Sequence, residues 1–320
     1  MPSLRGEKGM ALLLVLVVVA LLTSMLTEFA FSTLVDLRLT ETFRDSTRAY
    51  YLAKGGVRVG RIFLKEDRNS YDAYTPEELW SQGVSSYPVG DGWISVGIED
   101  LDGRLNINSL VNAAQDVNSV SKERFYRFFA NLGETDPEGL TAALIDWIDE
   151  DSTPYVDPDS GATGAEDDYY QQQTPPLHCA DEPLRSLDEL TMVRGFTPDL
   201  IRRIEPHVTV YGSTDSTRIN VNTASMEVLM AYSMSPESLV ITREAAEQIV
   251  ERRNSKPFRT ASELIEINSI SGLENLLRTE LTVTGRFYRI RSTAEVNDGV
   301  RRVEAIVDKT SGNLIYQKVD

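Results

Sequence analysis

The 320-residue sequence predicts an α+β fold: a long N-terminal helix laid across an antiparallel sheet, with a large α-helical region inserted between the sheet strands. Three observations predict it. No residue from Met10 to Thr27 is charged, and apolar spacing near 3, 4 and 7 continues through Leu34, Leu37, Phe43, Tyr50 and Tyr51 without a Pro or Gly before Lys54. At the other end, Arg286–Val296 and Val300–Asp308 flank Asn297-Asp298-Gly299, a strong hairpin signal. Between them the apolar pattern is mostly helical from residue 109 to 285.

Composition bounds the function. Hydrophobic residues make up 41% and charged residues 25%, ordinary for a globular chain. The net charge of −17 disfavours a general affinity for nucleic acid, which depends on Lys and Arg displacing counterions from phosphate. A single cysteine, Cys179, excludes an intramolecular disulfide. Only His178 and His207 are present, and nothing in the sequence gives either an orienting partner, so catalysis finds little support.

In chain order, residues 1–9 read as a short leader, with Arg5 and Lys8 against Glu7. The positive-inside rule puts that end in the cytoplasm. The apolar run is long enough for one membrane crossing. It is longer than the usual core of a cleaved secretory signal and lacks a clear A-x-A site after it. Residues 10–66 form the long helix, first apolar all round, then amphipathic. Arg44, Arg48, Lys54, Arg58 and Arg61 read as its solvated face, and Gly55, Gly56 and Gly60 as a bend or a close approach to the sheet.

Residues 67–108 open the sheet domain. We expect loop plus a short helix near Pro76–Trp80 up to residue 91, a strand over Trp93–Asp100, a turn at Asp102-Gly103, and a returning strand over Arg104–Asn108. Residues 109–206 form a first helical module. Residues 207–285 are a strand plus a second module, and residues 286–320 are three strands that join the two near residue 100. An internal repeat supports two modules: Arg218-Ile219-Asn220-Val221-Asn222-Thr223 echoes Arg104-Leu105-Asn106-Ile107-Asn108-Ser109, each followed by a helix.

The sharpest local signal is Asp146–Tyr170. It carries Asp146, Asp149, Glu150, Asp151, Asp157, Asp159, Glu166, Asp167 and Asp168, with no Lys or Arg. Carboxylates this dense repel unless a cation sits among them. Asp146 and Asp149 are spaced i, i+3 at a helix end, and Trp147, Tyr155, Tyr169 and Tyr170 are unlike a disordered acidic loop. Oxygen ligands on an irregular loop suit Ca²⁺. The candidate ligands are Asp146, Asp149, Asp151, Glu166, Asp167 and Asp168.

The leader ending in Gly9, the apolar helix running on as a stalk, and the C-terminal strands resemble a type IV pilin-like subunit. Leu14, at mature position five where most such subunits carry Glu, points further. With the large helical insertion, the Asp-Trp-x-Asp-x-Asp segment over Asp146, Trp147, Asp149 and Asp151, and Gly164-Ala165-Glu166-Asp167 leading to Tyr169-Tyr170, the chain resembles the general secretion pathway protein K family of type II secretion. That resemblance implies a pilin-like fold and cleavage between Gly9 and Met10 by a prepilin peptidase, with methylation of the new N-terminus. It implies a non-enzymatic minor pseudopilin, anchored once in the inner membrane with its N-terminus cytoplasmic and its domain periplasmic. Its partners would be two other minor pseudopilins, with the major pseudopilin below, at the tip of a pseudopilus whose assembly it helps start. Bound calcium is implied as well.

The segments around Ile219–Leu229, Ala245–Arg253 and Lys256–Leu264 are similar to SAM/helix-hairpin-helix DNA-binding repeats. This gives an alternative, a membrane-anchored DNA-uptake protein. The phosphate-binding hairpin would fall at 233–244, which has no Gly-x-Gly, and at Val193-Arg194-Gly195-Phe196, which has one glycine. With the acidity of the chain, this favours packing modules without nucleic acid.

Overall fold

The computed structural model describes residues 5–214, 217–232, 241–267 and 280–320. Helix α1 (Arg5–Glu66) is unbroken and begins inside the leader, earlier than expected at residue 10. From Gly9 to Thr40 it is exposed throughout, Met10 and Leu14 included, and it is long and apolar enough to cross a membrane by length and composition. The stalk meets the sheet near Asp45, whose carboxylate accepts a hydrogen bond from the Asn297 amide at 3.0 Å. From there Ala49, Ala53, Val57 and Leu64 are buried at helical spacing. Gly56 and Gly60 are there for proximity, not for a bend. A Cβ on Gly56 would stand 2.7 Å from Ile94, and one on Gly60 2.8 Å from Ile290.

The sheet under α1 has five strands in the order β1 (Val84–Val89), β2 (Gly92–Asp100), β7 (Phe287–Val296), β8 (Gly299–Asp308) and β9 (Leu314–Val319), all antiparallel. The alternating burial of β2 sends Ile94, Val96 and Ile98 toward α1. The hairpin at Asn297-Asp298 forms as expected, Val296 pairing with Gly299. Helix α2 (Leu79–Gln82) buries Trp80 against Tyr288.

Two expectations near residue 100 are corrected. Val84–Val89 is a strand rather than loop. It lies at the sheet edge, the one place where Pro88 can sit without removing a needed donor. Arg104–Asn108 does not return as β2's hairpin partner. The Asp102 carboxylate accepts the backbone N–H groups of Arg286 and Phe287, the latter at 2.7 Å, and the chain leaves the sheet there. Only Leu105–Asn106 (β3) is extended, and it pairs in parallel with Val208–Thr209 (β4). Both pieces therefore belong to the first helical module, and the boundaries expected at 108/109 and 206/207 shift accordingly.

The helical region contains α3 (Ser119–Asn131), α4 (Pro137–Ile148), α5 (Asp167–Tyr170), α6 (Pro198–Ile204), α7 (Met226–Ala231) and α8 (Arg243–Ser255). It has its own core, with Phe125, Phe128, Phe129, Leu144 and Ile204 fully buried. The repeated Asn residues do the same work in each copy. Asn106 accepts the N–H of Asn108, and Asn220 that of Asn222. Asn108 exchanges hydrogen bonds with the backbone of Leu184, and Asn222 with that of Phe258, at 2.8 and 2.9 Å in both cases. In the second copy, Ile219–Asn220 (β5) pairs in parallel with Leu281–Thr282 (β6) as β3 does with β4. A side chain that satisfies a distant backbone from inside a core has few substitutes, which is why this pattern was visible in the sequence.

Candidate metal centre

The acidic segment folds around the C-terminal end of α4. Asp136 caps this helix through the N–H of Gly139, and Pro137 stands in its first turn. Every residue from Gly139 to Ile148 is buried, so Asp146, in the last turn, has no exit to solvent. Asp149 follows one turn later as the C-cap and is also buried. The chain then loops out and returns, held by Asp157. That carboxylate accepts from Lys122 at 2.6 Å and from the Tyr126 hydroxyl at 2.6 Å. Burial would raise it, but those bonds hold Asp157 well below the usual carboxylate range.

The returning segment passes close to Asp146. A Cβ on Gly164 would overlap the Asp146 carboxylate, so glycine is required there. Glu166 comes next and points inward. One ligand oxygen from each of Asp146, Asp149 and Glu166 lies within 4.8 Å of the others. A second group shares Glu166 and adds Cys179 and Asp181 at the same spacing.

Four carboxylate oxygens here are buried without a hydrogen-bond partner: Asp146 Oδ2, Asp149 Oδ1, Glu166 Oε1 and Asp181 Oδ1. Native interiors rarely leave such groups unpaired, since each costs on the order of 1–3 kcal/mol, more when charged. No lysine or arginine makes an ion pair with any of the four among the described residues. Arg194, whose charge partly offsets the upward push on Asp146, donates its hydrogen bonds to the carbonyls of Gly164 and Thr163. Burial first, then mutual repulsion, pushes Asp149 up to about 7 and Glu166 to about 8. Burial also pushes Asp146 up to about 7, against the Tyr155 N–H that donates to it at 2.8 Å. A hard cation would answer all of these features together.

The predicted ligands divide. Asp146, Asp149 and Glu166 come together. Asp151 stands exposed at the rim, close enough to raise Asp146 and Asp149, and caps the turn at Thr153. Asp167 and Asp168 are corrections, because neither joins the cluster. The Asp167 carboxylate accepts from the Cys179 N–H at 2.8 Å and faces His178 at 3.1 Å, while Asp168 is exposed. They begin α5, where successive residues turn by about 100°, so Glu166 and Tyr170 face inward and the two aspartates between them do not. Asp181 was missed: it lies in a proline-flanked loop with no periodicity to read. Cys179 contributes no thiolate. Burial pushes its thiol up, and its S–H donates to the Asp146 carbonyl at 3.3 Å.

The other singled-out residues lie apart. Gly9, Met10 and Leu14 are in the exposed part of α1. Residues 233–240 of the expected hairpin lie outside the described residues. Gly195 of the other copy adopts φ +87°, and the neighbouring Arg194 is turned inward over Tyr169.

Comparison with known proteins agrees on one family. Family models for type II secretion system protein K match residues 103–213 and 219–284, together more than half of the chain. The type II secretion system protein K of Pseudomonas aeruginosa is 29% identical over 308 residues, covering 92% of this chain and 86% of the relative. That of Pectobacterium carotovorum subsp. carotovorum is 32% identical over 225 residues, covering 68% and 66%. Among solved structures, a chain of the GspK–GspI–GspJ complex from the enterotoxigenic Escherichia coli type 2 secretion system superimposes with a TM-score of 0.69. It is 20% identical and covers 90% of this chain and 99% of that one, a likeness of fold.

Proposed function

We propose, from the premise that this chain belongs to the type II secretion system protein K family, that it is a minor pseudopilin capping the tip of the periplasmic pseudopilus and helping to start its assembly. Membership in the family carries the reading. Three features support it. The unbroken α1 has an exposed apolar half suited to a single inner-membrane anchor, with the N-terminus cytoplasmic. Leu14 stands where a filament-interior subunit would carry Glu. The bulk of the helical insertion would, in this reading, prevent another subunit from adding above it. The solved neighbour was crystallised with two other chains, GspI and GspJ. By extension, this chain would bind two other minor pseudopilins, with the major pseudopilin below. A prepilin peptidase would cut between Gly9 and Met10 and methylate the new N-terminus.

The acidic centre, in this reading, holds calcium through Asp146, Asp149, Glu166 and Asp181. The ion would supply the positive charge that four buried unpaired oxygens lack. It would tie the end of α4 to the returning loop and the Cys179–Asp181 segment. The two modules act as SAM/helix-hairpin-helix-like packing units, with no enzymatic role and no nucleic acid.

Immunogold labelling of overproduced pseudopili tests the tip assignment. Antibody to this chain should mark one end of each fibre. Labelling along the shaft would overturn it.

A further inference from the structure

A polar cleft of about 270 Å³ opens where the sheet and both helical modules meet. Leu105 and Phe125 bring the first module to its wall, Ile219 and Thr282 the second, and Leu101 and Phe287 the end of the sheet. Small-molecule sites usually enclose about 300–1,000 Å³, so this one suits a ligand at the small end of that range.

Four arginines line the cleft: Arg104, Arg124, Arg218 and Arg286. They come from four separate stretches of the chain. The one carboxylate on the wall among the described residues, Asp102, is already engaged by the N–H groups of Arg286 and Phe287. The chain as a whole has the opposite bias, with 49 acidic residues against 32 Lys and Arg. A cleft lined by one sign of charge, between walls of low dielectric, concentrates ions of the other sign.

Three of these arginines have partners. Arg104 pairs with Glu99 at 3.0 Å, Arg124 with Glu280 at 3.0 Å, and Arg286 with Asp308 at 2.9 Å. None of those carboxylates lines the cleft. Arg124 is buried and fixed from several sides: its guanidinium carbon lies 3.7 Å from the centre of the Tyr232 ring, and it donates to the Thr217 carbonyl at 2.9 Å. A group held in place beforehand loses little freedom when a ligand arrives.

Arg218 differs. It is exposed at the entry to β5 and makes neither an ion pair nor a hydrogen bond among the described residues. Internal pairing therefore accounts for the other three arginines and leaves this one unexplained. A guanidinium carries five N–H donors in a planar fork that matches the oxygens of carboxylate and phosphate.

We propose that this cleft binds a small oxyanion, a molecule bearing phosphate or carboxylate groups, with Arg218 as its principal donor and Arg124 as a fixed charge in the wall. Arg104 leaves the sheet, Arg124 stands on α3, Arg218 leads into β5 and Arg286 leads into β7. An anion held among them would tie both helical modules to the sheet.

Calorimetric titration and melting curves of the full chain in detergent test the site, with inorganic phosphate, succinate and sodium chloride compared at matched ionic strength. Phosphate or succinate should bind saturably and raise the melting temperature, as any ligand of the folded state does, and chloride should do neither. A response to phosphate alone assigns a phosphate-bearing ligand, a response to succinate alone a carboxylate, and a response to both the shared oxyanion chemistry. Without added anion Arg218→Gln should melt like the parent, since its side chain has no partner to lose, and it should bind the anion at least tenfold more weakly. Arg218→Lys, which keeps the charge, should lose less, and Arg58→Gln, an exposed change on α1, should lose nothing. No response beyond that to chloride in the parent, or equal affinity in the parent and Arg218→Gln, would overturn the site.

Discussion

Among the described residues, two groups of buried carboxylates are neutralised differently. On the sheet side, Asp67, Asp72 and Glu78 converge, and the chain supplies its own cation: Lys309 Nζ stands 2.6 Å from both Asp67 and Asp72. In the helical region, Asp146, Asp149, Glu166 and Asp181 converge with no ammonium or guanidinium paired to them among the described residues. In the first cluster Lys309 pairs with Asp67 and Asp72, and Glu78 Oε2 alone is left unpaired, its carboxyl pushed up to about 7 chiefly by burial. The second is electrostatically incomplete, and that difference is the physical argument for a metal.

The comparison can be broken first at Lys309. Lys309→Met should leave the buried Asp67–Asp72 pair uncompensated and cost about 3–5 kcal/mol, read by urea unfolding. Next is Asp149→Asn. It removes one of the repelling charges, so the metal-free chain should be no less stable than the parent. The gain from calcium, about 2.7 kcal/mol at 100 times the dissociation constant, should vanish. Asp168→Ala, an exposed change, should stay within about 0.5 kcal/mol and keep the calcium response. Equal loss of response in both variants would mean that the cluster was drawn wrongly.

The pH dependence sharpens the contrast. Asp146, Asp149 and Glu166 ionise near 7–8 in the metal-free fold and near 4 when unfolded. Between those values the unfolded chain binds fewer protons, so metal-free stability should fall as pH rises from about 4 to about 8. Calcium requires the ionised carboxylates, so its binding should release protons and remove most of that decline. Melting temperatures across this pH range, with chelator and with calcium, check both signs.

How much was legible in the sequence follows from how local the determinants were. The long helix and the Asn297 hairpin are set by neighbours in sequence, while the paired Asn106/Asn108 and Asn220/Asn222 motifs, whose partners are distant, were readable because the same pattern occurs twice. Asp146 and Asp149 were readable because a helix end fixes their spacing. Asp181 was not, because it reaches the cluster only through a loop folded back from Cys179. Asp167 and Asp168 misled because acidity carries no direction until α5 fixes it. The edge strand Val84–Val89 hid behind Pro88 and its flanking glycines, which signal a loop everywhere except at an edge. The departure of the chain at Asp102 was set by the N–H groups of Arg286 and Phe287, which local reading near residue 100 could not reach.

The most direct measurement is calcium titration of the full chain in detergent by calorimetry at pH 7, after chelator treatment, with magnesium in parallel. The account predicts saturable calcium binding with proton release and a raised melting temperature, a much weaker response to magnesium, and none in Asp149→Asn. Superimposable melting curves with chelator and with calcium, and no binding heat in the parent chain, would contradict it.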